Sequence, residues 1–413
     1  MNAHRGDILM LLDRFPHPSQ TFIVNELREL IRQGADVRLL AVFGINRGLF
    51  RRLSQARLVS GHVIAGNLSP RRRYRPLTQL VARLRTWRRE GEVKVDVSPR
   101  DYKELLTASA LTRVGGFRVV HYQFAGIARR CARMGVRHPE AERVFVSVRG
   151  KDITTTPLEK LAGKLSPLAE AGVHFLPVCR SFADRLEQHG GIPRSRITVH
   201  YSGIDSDYFT VDHAVQTARR ARARAGAIHL YAAGRLTGKK GVVHVVDAFG
   251  QARRLLSPKE VDLTLTIAGD GPCADQVDAR IAELELSSIV ERRGTYAPAD
   301  HRRELERAHL FVSHSVTASD GDQEGIPNTL KEAMAAELPV VATRHSGTPE
   351  LVQEGVSGYL VDERDTAGMA EAICRLAEDT NLRERFGAEG ARVVRERFDM
   401  SVTTAQLRKL YSL

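Results

Sequence analysis

A short apolar run, a turn and an amphipathic stretch follow one another along most of the chain, and the alternation runs through twice. No other feature constrains the fold as tightly. Ile8 to Leu12 reads as a strand and Ser19 to Gln33 as a helix with Phe22, Ile23, Leu27, Leu30 and Ile31 on one face. Val37 to Val42 reads as a second strand, and Gly34 sits where a helix C-cap belongs. Phe117 to His121, Val144 to Val148 and His174 to Pro177 continue the strands, separated by helical segments such as Pro157 to Glu170 and Ser181 to His189. The second half restarts with strands at Ile228 to Ala232, Asp262 to Ala268, Leu310 to Ser313 and Val340 to Ala342, and helices at Val242 to Leu256 and Cys273 to Glu285. Such alternation implies parallel sheets, so we expect an α/β protein with two Rossmann-like domains facing across a cleft. Residues 1–207 form the expected N-terminal domain and residues 227–395 the C-terminal one, with 396–413 as a terminal helix. The polar, Arg/Ala-rich stretch Asp212 to Gly226 shows no core face, and residues 208–226 are taken as the linker. Ligands of open α/β sheets lie at the carboxyl ends of the strands, which places a ligand between the lobes.

Composition narrows the partners. The 413 residues carry a net charge of +13, but with ten lysines against fifty-two arginines the excess is a skew of the whole surface. No RNA-binding aromatic signature or zinc-finger spacing accompanies it, and nucleic acid is not an expected partner. One stretch is pointed: twelve arginines lie between Arg47 and Glu90, with Glu90 the single acid. Leu77, Leu80, Val81 and Leu84 recur among them at helical spacing, so peripheral contact with an anionic membrane is one expectation and a solvated basic helix the other. Apolar runs are too short for a membrane span, and no leader pattern is visible, which suggests a cytoplasmic protein. Cys131, Cys179, Cys273 and Cys374 share no CxxC spacing and read as free thiols.

The segment from Ser313 to Gly358 is the most informative chemically. A strand ends at Ser313, a polar loop with Asp320 and Asp322 follows, and Glu324-Gly325-Ile326-Pro327 leads into helix-forming residues from Asn328. A helix N-terminus at a strand end binds anions through its unpaired amides. Glu324 precedes the helix and Glu332 lies inside it. Two carboxylates beside a phosphate site suit a nucleotide sugar, one for ribose and one for hexose, although both could be ordinary surface acids. Gly234-Arg235-Leu236-Thr237-Gly238-Lys239-Lys240-Gly241 follows another strand, and Arg235 and Lys240 would neutralise a diphosphate there. This loop lacks the order of a P-loop.

GRLTGKKG, then AGDGP at Ala268 to Pro272, EGIPNTLKEAMA at Glu324 to Ala335 and SGTPELV at Ser346 to Val352 together resemble the retaining GT-B glycosyltransferases of family 4. The resemblance implies a GT-B fold with the nucleotide diphosphate sugar, UDP- or GDP-linked, in the C-terminal domain. Arg235 and Lys240 match the positions that contact the donor diphosphate. Glu324 matches the first acid of the E-x7-E element, near the transferred sugar, and Glu332 the second, on the ribose. The amides of Gly325, Ile326, Pro327 and Asn328 span the phosphate site, Pro327 lacking an N–H of its own. No metal or other cofactor is implied, because basic groups take the metal's place. The terminal helix of such proteins commonly crosses back to the first domain.

The N-terminal half is similar to the subgroup acting in exopolysaccharide and colanic-acid-type assembly. Phe15 to Leu27, FPHPSQTFIVNEL, stands where other members have a Gly-rich loop, and it marks Ser19 and Thr21 as acceptor or sugar contacts. His121-Tyr122-Gln123-Phe124 resembles an HxHF element, with Gln123 for the second histidine. Ser147 to Asp152, SVRGKD, resembles an HGxD element in which Arg149 stands where most members have histidine. Arginine stays protonated and cannot act as a general base, but it can hydrogen-bond a sugar. Arg149 and His121 are thus carried as catalytic candidates beside Glu324. His121 reads equally as a strand-end histidine, and Asp152 equally as a helix cap or a sugar contact. Ser202-Gly203-Ile204-Asp205 resembles the family's NGxD turn. The expected reaction is sugar transfer with retained configuration to a saccharide or lipid-linked acceptor in cell-envelope glycan assembly. Glycosylation of a soluble secondary metabolite, nucleotide-sugar epimerisation, phosphorolysis and donor binding with weak activity remain alternatives. Two lobes on a thin connection are expected to close around the donor.

Overall fold

The computed structural model describes residues 6–13, 15, 21–41, 63–65, 116–133, 138 and 141–412. Their strands form two sheets of six, parallel throughout. The first contains β1 (Gly6–Leu12), β2 (Val37–Ala41), β3 (Val63–Ala65), β4 (Phe117–Tyr122), β5 (Arg143–Val148) and β6 (His174–Pro177) in the order β3-β2-β1-β4-β5-β6. The second contains β7 (Ala227–Ala233), β8 (Asp262–Ala268), β9 (Val290–Arg293), β10 (Leu310–Ser313), β11 (Val340–Thr343) and β12 (Gly358–Val361) in the order β12-β11-β10-β7-β8-β9. Counted from its own first strand, each sheet has the doubly wound order, and the order reverses between β1 and β4 and between β7 and β10. These two switch points position the site.

Alternating side chains give each sheet two apolar faces. Leu9 and Leu11 of β1 face a core completed by helices Leu158–Glu170 and Arg180–Gly190. Ile8, Met10 and Leu12 face helix Thr21–Arg32 and, from the far end of the chain, Leu407 and Tyr411. In the second domain Ile228, Leu230 and Ala232 pack on helix Val242–Leu256, and Tyr231 packs on the opposite side with Leu330 and Met334. Each fully buried leucine, valine or phenylalanine contributes roughly 1.5–3 kcal/mol.

The stretch taken as a linker holds two helices, Ser206–Phe209 and His213–Arg224. The second sits on the C-terminal domain through buried Arg219, which donates to the carbonyls of Leu305 (2.7 Å), Glu306 (3.2 Å) and Ala336 (2.9 Å). A charged side chain makes the helix's deepest contact, which is why no apolar face marks it in the sequence. The crossings between domains are short and paired: Ile204 N–H donates to Phe398 O (3.0 Å) and Met400 N–H to Ile204 O (2.8 Å). The Asp399 carboxylate accepts from Ser206 and Ser401 on either side. Helix Met400–Tyr411 then returns to the first domain.

The two domains meet across the cleft. Ile326 packs against core residues of both. Glu350 accepts from Arg180 N–H (2.7 Å) and Tyr201 Oη (2.8 Å), and Gln323 N–H donates to Thr154 Oγ1 (3.3 Å). Gly150 lies so close to the Gln323 carbonyl that a Cβ there would overlap it.

At the paired crossing, a Cβ on Gly203 would fall 2.7 Å from Met400 Cα and would overlap Thr403 Oγ1. Gly203→Ala is therefore expected to lower unfolding stability by about 1–3 kcal/mol, measured by urea denaturation. Unchanged stability would show that the crossing has room to adjust.

Candidate active site

The loop after β7 and the loop after β10 meet at the second switch point. Two glycines of Ala268–Pro272 make the first loop possible: Gly269 has φ 134°, and a Cβ there would lie 2.9 Å from Gly234 C. Gly271 has φ 156°, and a Cβ there would lie 2.9 Å from Leu236 C. Only glycine lets the AGDGP turn lie this closely under Gly234–Leu236. Gly234 N–H donates to Ala268 O (3.0 Å) and Leu236 N–H to Asp270 O (2.9 Å), which aims the following residues at the cleft. Arg235 is exposed, and Lys240 is largely covered.

The second loop delivers Glu324. Its Oε1 is 3.2 Å from Lys239 Nζ and its Oε2 is 3.4 Å from Lys240 Nζ. Burial pushes the carboxyl up, but Lys240 and Lys239 outweigh it and hold Glu324 down at about 2. Its backbone is fixed as firmly: Glu324 N–H donates to His345 Nε2 (3.0 Å), and His345 Nδ1 lies 2.6 Å from Glu363 Oε1. An amide hydrogen on Nε2 requires the ring proton on Nδ1, directed at Glu363. Glu363 also accepts Thr317 N–H (2.8 Å). Pro327 ends the loop, and Asn328–Ala335 forms a helix, whose first amides have no partner within the helix itself. Within that helix Glu332 Oε2 lies 3.0 Å from His301 Nε2, and His301 Nδ1 is 2.8 Å from Tyr231 Oη. Tyr296 stacks on His301 at 5.2 Å.

On the N-terminal side Arg149 follows β5. Its guanidinium donates to Ser202 Oγ (2.8 Å) and Gln123 Oε1 (3.3 Å) and stacks on Phe22 at 4.1 Å. Its Nε has no hydrogen-bond partner among the described residues. Gln123 Nε2 donates in turn to Glu26 Oε1 (3.1 Å). Burial works against the charge of Arg149, and Glu26 and Asp152 offset it. Burial also pushes Glu26 up, yet His200 and Arg149 keep it well below the usual carboxylate range. Gln123 and Arg149 thus belong to one network: the amide of Gln123 accepts from Arg149 and donates to Glu26.

His121 is fully buried, with Nδ1 2.6 Å from Tyr411 Oη and Nε2 2.9 Å from Ser147 Oγ. Burial pushes its pKa down to about 3, so it is neutral and both ring nitrogens are engaged. These two contacts tie the terminal helix to the sheet. Asp152 Oδ2 accepts Arg149 N–H (3.0 Å) as the cap of the turn Gly150–Ile153, and burial raises its pKa. Ser19 lies outside the described residues; Thr21 begins helix Thr21–Arg32, and its side chain is likewise outside them. The arginines from Arg47 to Arg89 and the apolar positions among them also lie outside. Among the described residues no helix is long and apolar enough to cross a membrane, and no His, Cys, Asp and Glu side chains group as a metal site. The four cysteines are free thiols.

Sequence reasoning missed Glu26, Lys239, His301, Lys331, His345 and Glu363. Glu26, Lys239, Lys331 and His345 stand inside or beside the quoted segments, so the signal was proximity to them. Lys331 is 1% exposed and donates to Ser202 O at 2.5 Å, on the crossing between the domains.

Residues 227–379 match the family described as Glycosyl transferases group 1. WcaL of Escherichia coli (strain K12), named for colanic acid biosynthesis, is 28% identical over 96% of this chain and 97% of its own length. The amylovoran biosynthesis glycosyltransferase AmsK of Erwinia amylovora is 29% identical over 88% of this chain and 89% of its own. Anabaena HepE, solved in complex with UDP and glucose, superposes with a TM-score of 0.70 at 18% identity, over 98% of this chain and 99% of that one. That last likeness is one of fold, and it matches the two parallel sheets described above.

Burial pushes Lys331 down to about 7, against an ordinary value of 10.5. The folded state then binds fewer protons than the unfolded state between about pH 7 and 10, so stability rises with pH across that window and the cost of the buried charge is fully present below it. Lys331→Met is expected to gain melting temperature relative to the parent most at pH 6 and least at pH 10. A pH-independent difference would contradict the depressed pKa.

Proposed function

We propose that this chain, a glycosyltransferase of the GT-B fold, moves a sugar from a nucleoside diphosphate to a hydroxyl acceptor with retained anomeric configuration. The acceptor is a saccharide or lipid-linked saccharide in bacterial exopolysaccharide or other envelope-glycan assembly, in keeping with the names of WcaL and AmsK. One observation supports the reading: Glu324, just before helix Asn328–Ala335, bonds both lysines of the Gly234–Gly241 loop, and the same helix carries Glu332.

In this arrangement Arg235, Lys240 and the amides of Gly325, Ile326 and Asn328 take the diphosphate, and Glu332 takes the ribose diol. UDP or GDP is the carrier. The Glu324 carboxylate accepts hydroxyls of the transferred sugar. The bond from the anomeric carbon to the phosphate oxygen breaks with its electron pair passing to phosphate, and the cations and helix amides stabilise that charge. The acceptor oxygen bonds the same face of the anomeric carbon and yields its proton to the departing phosphate. No protein base is then required, which fits Arg149. Its guanidinium, which Ser202 and Gln123 hold, would hydrogen-bond the sugar or acceptor and exclude water. The chemistry asks nothing of a metal. The arginine-rich stretch between Arg47 and Arg89 supports docking on anionic lipid at the cytoplasmic membrane face.

Calorimetry with UDP, GDP and dTDP tests the donor site. One diphosphate is expected to bind, and Lys240→Ala and Glu332→Ala are each expected to weaken it by about ten- to a hundredfold, the loss of one hydrogen bond to a charged group. Binding of none would remove the transferase reading.

A further inference from the structure

Two adjacent lysines share one carboxylate, and their surroundings differ. An ammonium has three N–H donors. Those of Lys239 have three acceptors: Asp322 Oδ1 at 3.2 Å, Glu324 Oε1 at 3.2 Å and Gln323 O at 3.5 Å. Lys240 has Glu324 Oε2 at 3.4 Å as the carboxylate within ion-pair distance, and its other donors have no such acid partner among the described residues. Burial acts to lower Lys239, but Glu324 and Asp322 outweigh it and raise its pKa. Two of the groups that hold Lys239 also touch the other domain: Asp322 Oδ2 is 3.8 Å from Lys151 Nζ, and the Gln323 carbonyl abuts Gly150.

We propose that Lys239 is a positioning residue, which keeps Glu324 in place while the donor diphosphate draws Lys240 off that carboxylate. The assignment rests on the transferase reading above and deepens it. Without donor, Glu324 and Lys240 neutralise each other. An entering diphosphate offers Lys240 a counter-ion of higher charge, and Glu324 Oε2 is released to accept hydroxyls of the sugar. Lys239 cannot follow Lys240, because its donors are taken. Glu324 Oε1 therefore stays anchored to a cation that is itself fixed to the loop seated on the N-terminal domain. Donor binding is an exchange of one counter-ion for another, and the carboxylate does not drift when the exchange occurs.

This predicts an inverted effect at Glu324. Glu324→Gln removes the acid that competes for Lys240 and is expected to tighten UDP or GDP binding by about tenfold, whereas a residue that helped hold the diphosphate would weaken it. Lys239→Met leaves Glu324 to Lys240 alone, strengthens their pair, and is expected to weaken the diphosphate by about tenfold. The double variant is expected to bind as Glu324→Gln does, since without the carboxylate Lys239 has nothing to hold; Lys239→Arg is expected to restore the parent affinity. Calorimetry with UDP and GDP on the parent and the four variants reads all of this, and melting temperatures show whether each folds; should Lys239→Met fail to fold, Lys239→Gln replaces it. Equal weakening by Lys239→Met in both backgrounds would make Lys239 a direct phosphate ligand and overturn the proposal. So would no weakening in the parent, or looser binding by Glu324→Gln. Failure of the unmodified protein to bind either diphosphate is a different result, and it would fall on the transferase reading itself.

Discussion

Everything at the centre of this molecule depends on a carboxylate that stays ionised while nearly out of water. Glu324 is 17% exposed and sits between two ammonium groups at 3.2 and 3.4 Å. Removing one partner of a buried ion pair leaves an uncompensated charge and costs about 3–5 kcal/mol, so the neighbourhood is built to prevent that. His345 and Glu363 grip the backbone at Glu324, and Gln323 binds Thr154 of the other domain. The same pair that stabilises the cleft is the one a diphosphate exchanges for its own. Structure and function thus draw on one set of charges.

The twin sheets explain why those charges meet. Each doubly wound sheet opens where its strand order reverses, and each opening receives loops from two central strands. The cations come from the loop after β7 and the carboxylates from the loop and helix after β10. The facing lobe brings Arg149 from the end of β5 and Gln123 from just beyond β4. Arg149 reaches Ser202 on the crossing, and Lys331, next to Glu332, reaches the carbonyl of the same residue. The turn that joins the domains is therefore hydrogen-bonded from the N-terminal and the C-terminal domain together.

Much of this was legible in the chain, and the reason differs by element. The more central strands were visible because both faces of each sheet are buried there, which leaves short apolar runs, whereas β3, β9 and β12 were not read. AGDGP was visible because only glycine lets Gly269 and Gly271 lie under the Gly234–Leu236 backbone. Helix His213–Arg224 was hidden because Arg219, a residue that normally marks surface, makes its deepest contact. The bond from His121 to Tyr411 was hidden because the two lie 290 residues apart, and no local pattern predicts such a contact. Glu26 and Gln123 are 97 residues apart and meet only once β1 and β4 have paired. Motifs expose what local geometry demands; the charges that balance them come from distant segments.

A crystal structure with UDP or GDP bound is the most direct test of the counter-ion exchange. The diphosphate is expected between Lys240, Arg235 and the amides of residues 325–328, with the ribose diol on Glu332 and Glu324 still bonded to Lys239 but parted from Lys240. A diphosphate bound elsewhere, or one bound with the Glu324–Lys240 pair intact, would contradict it.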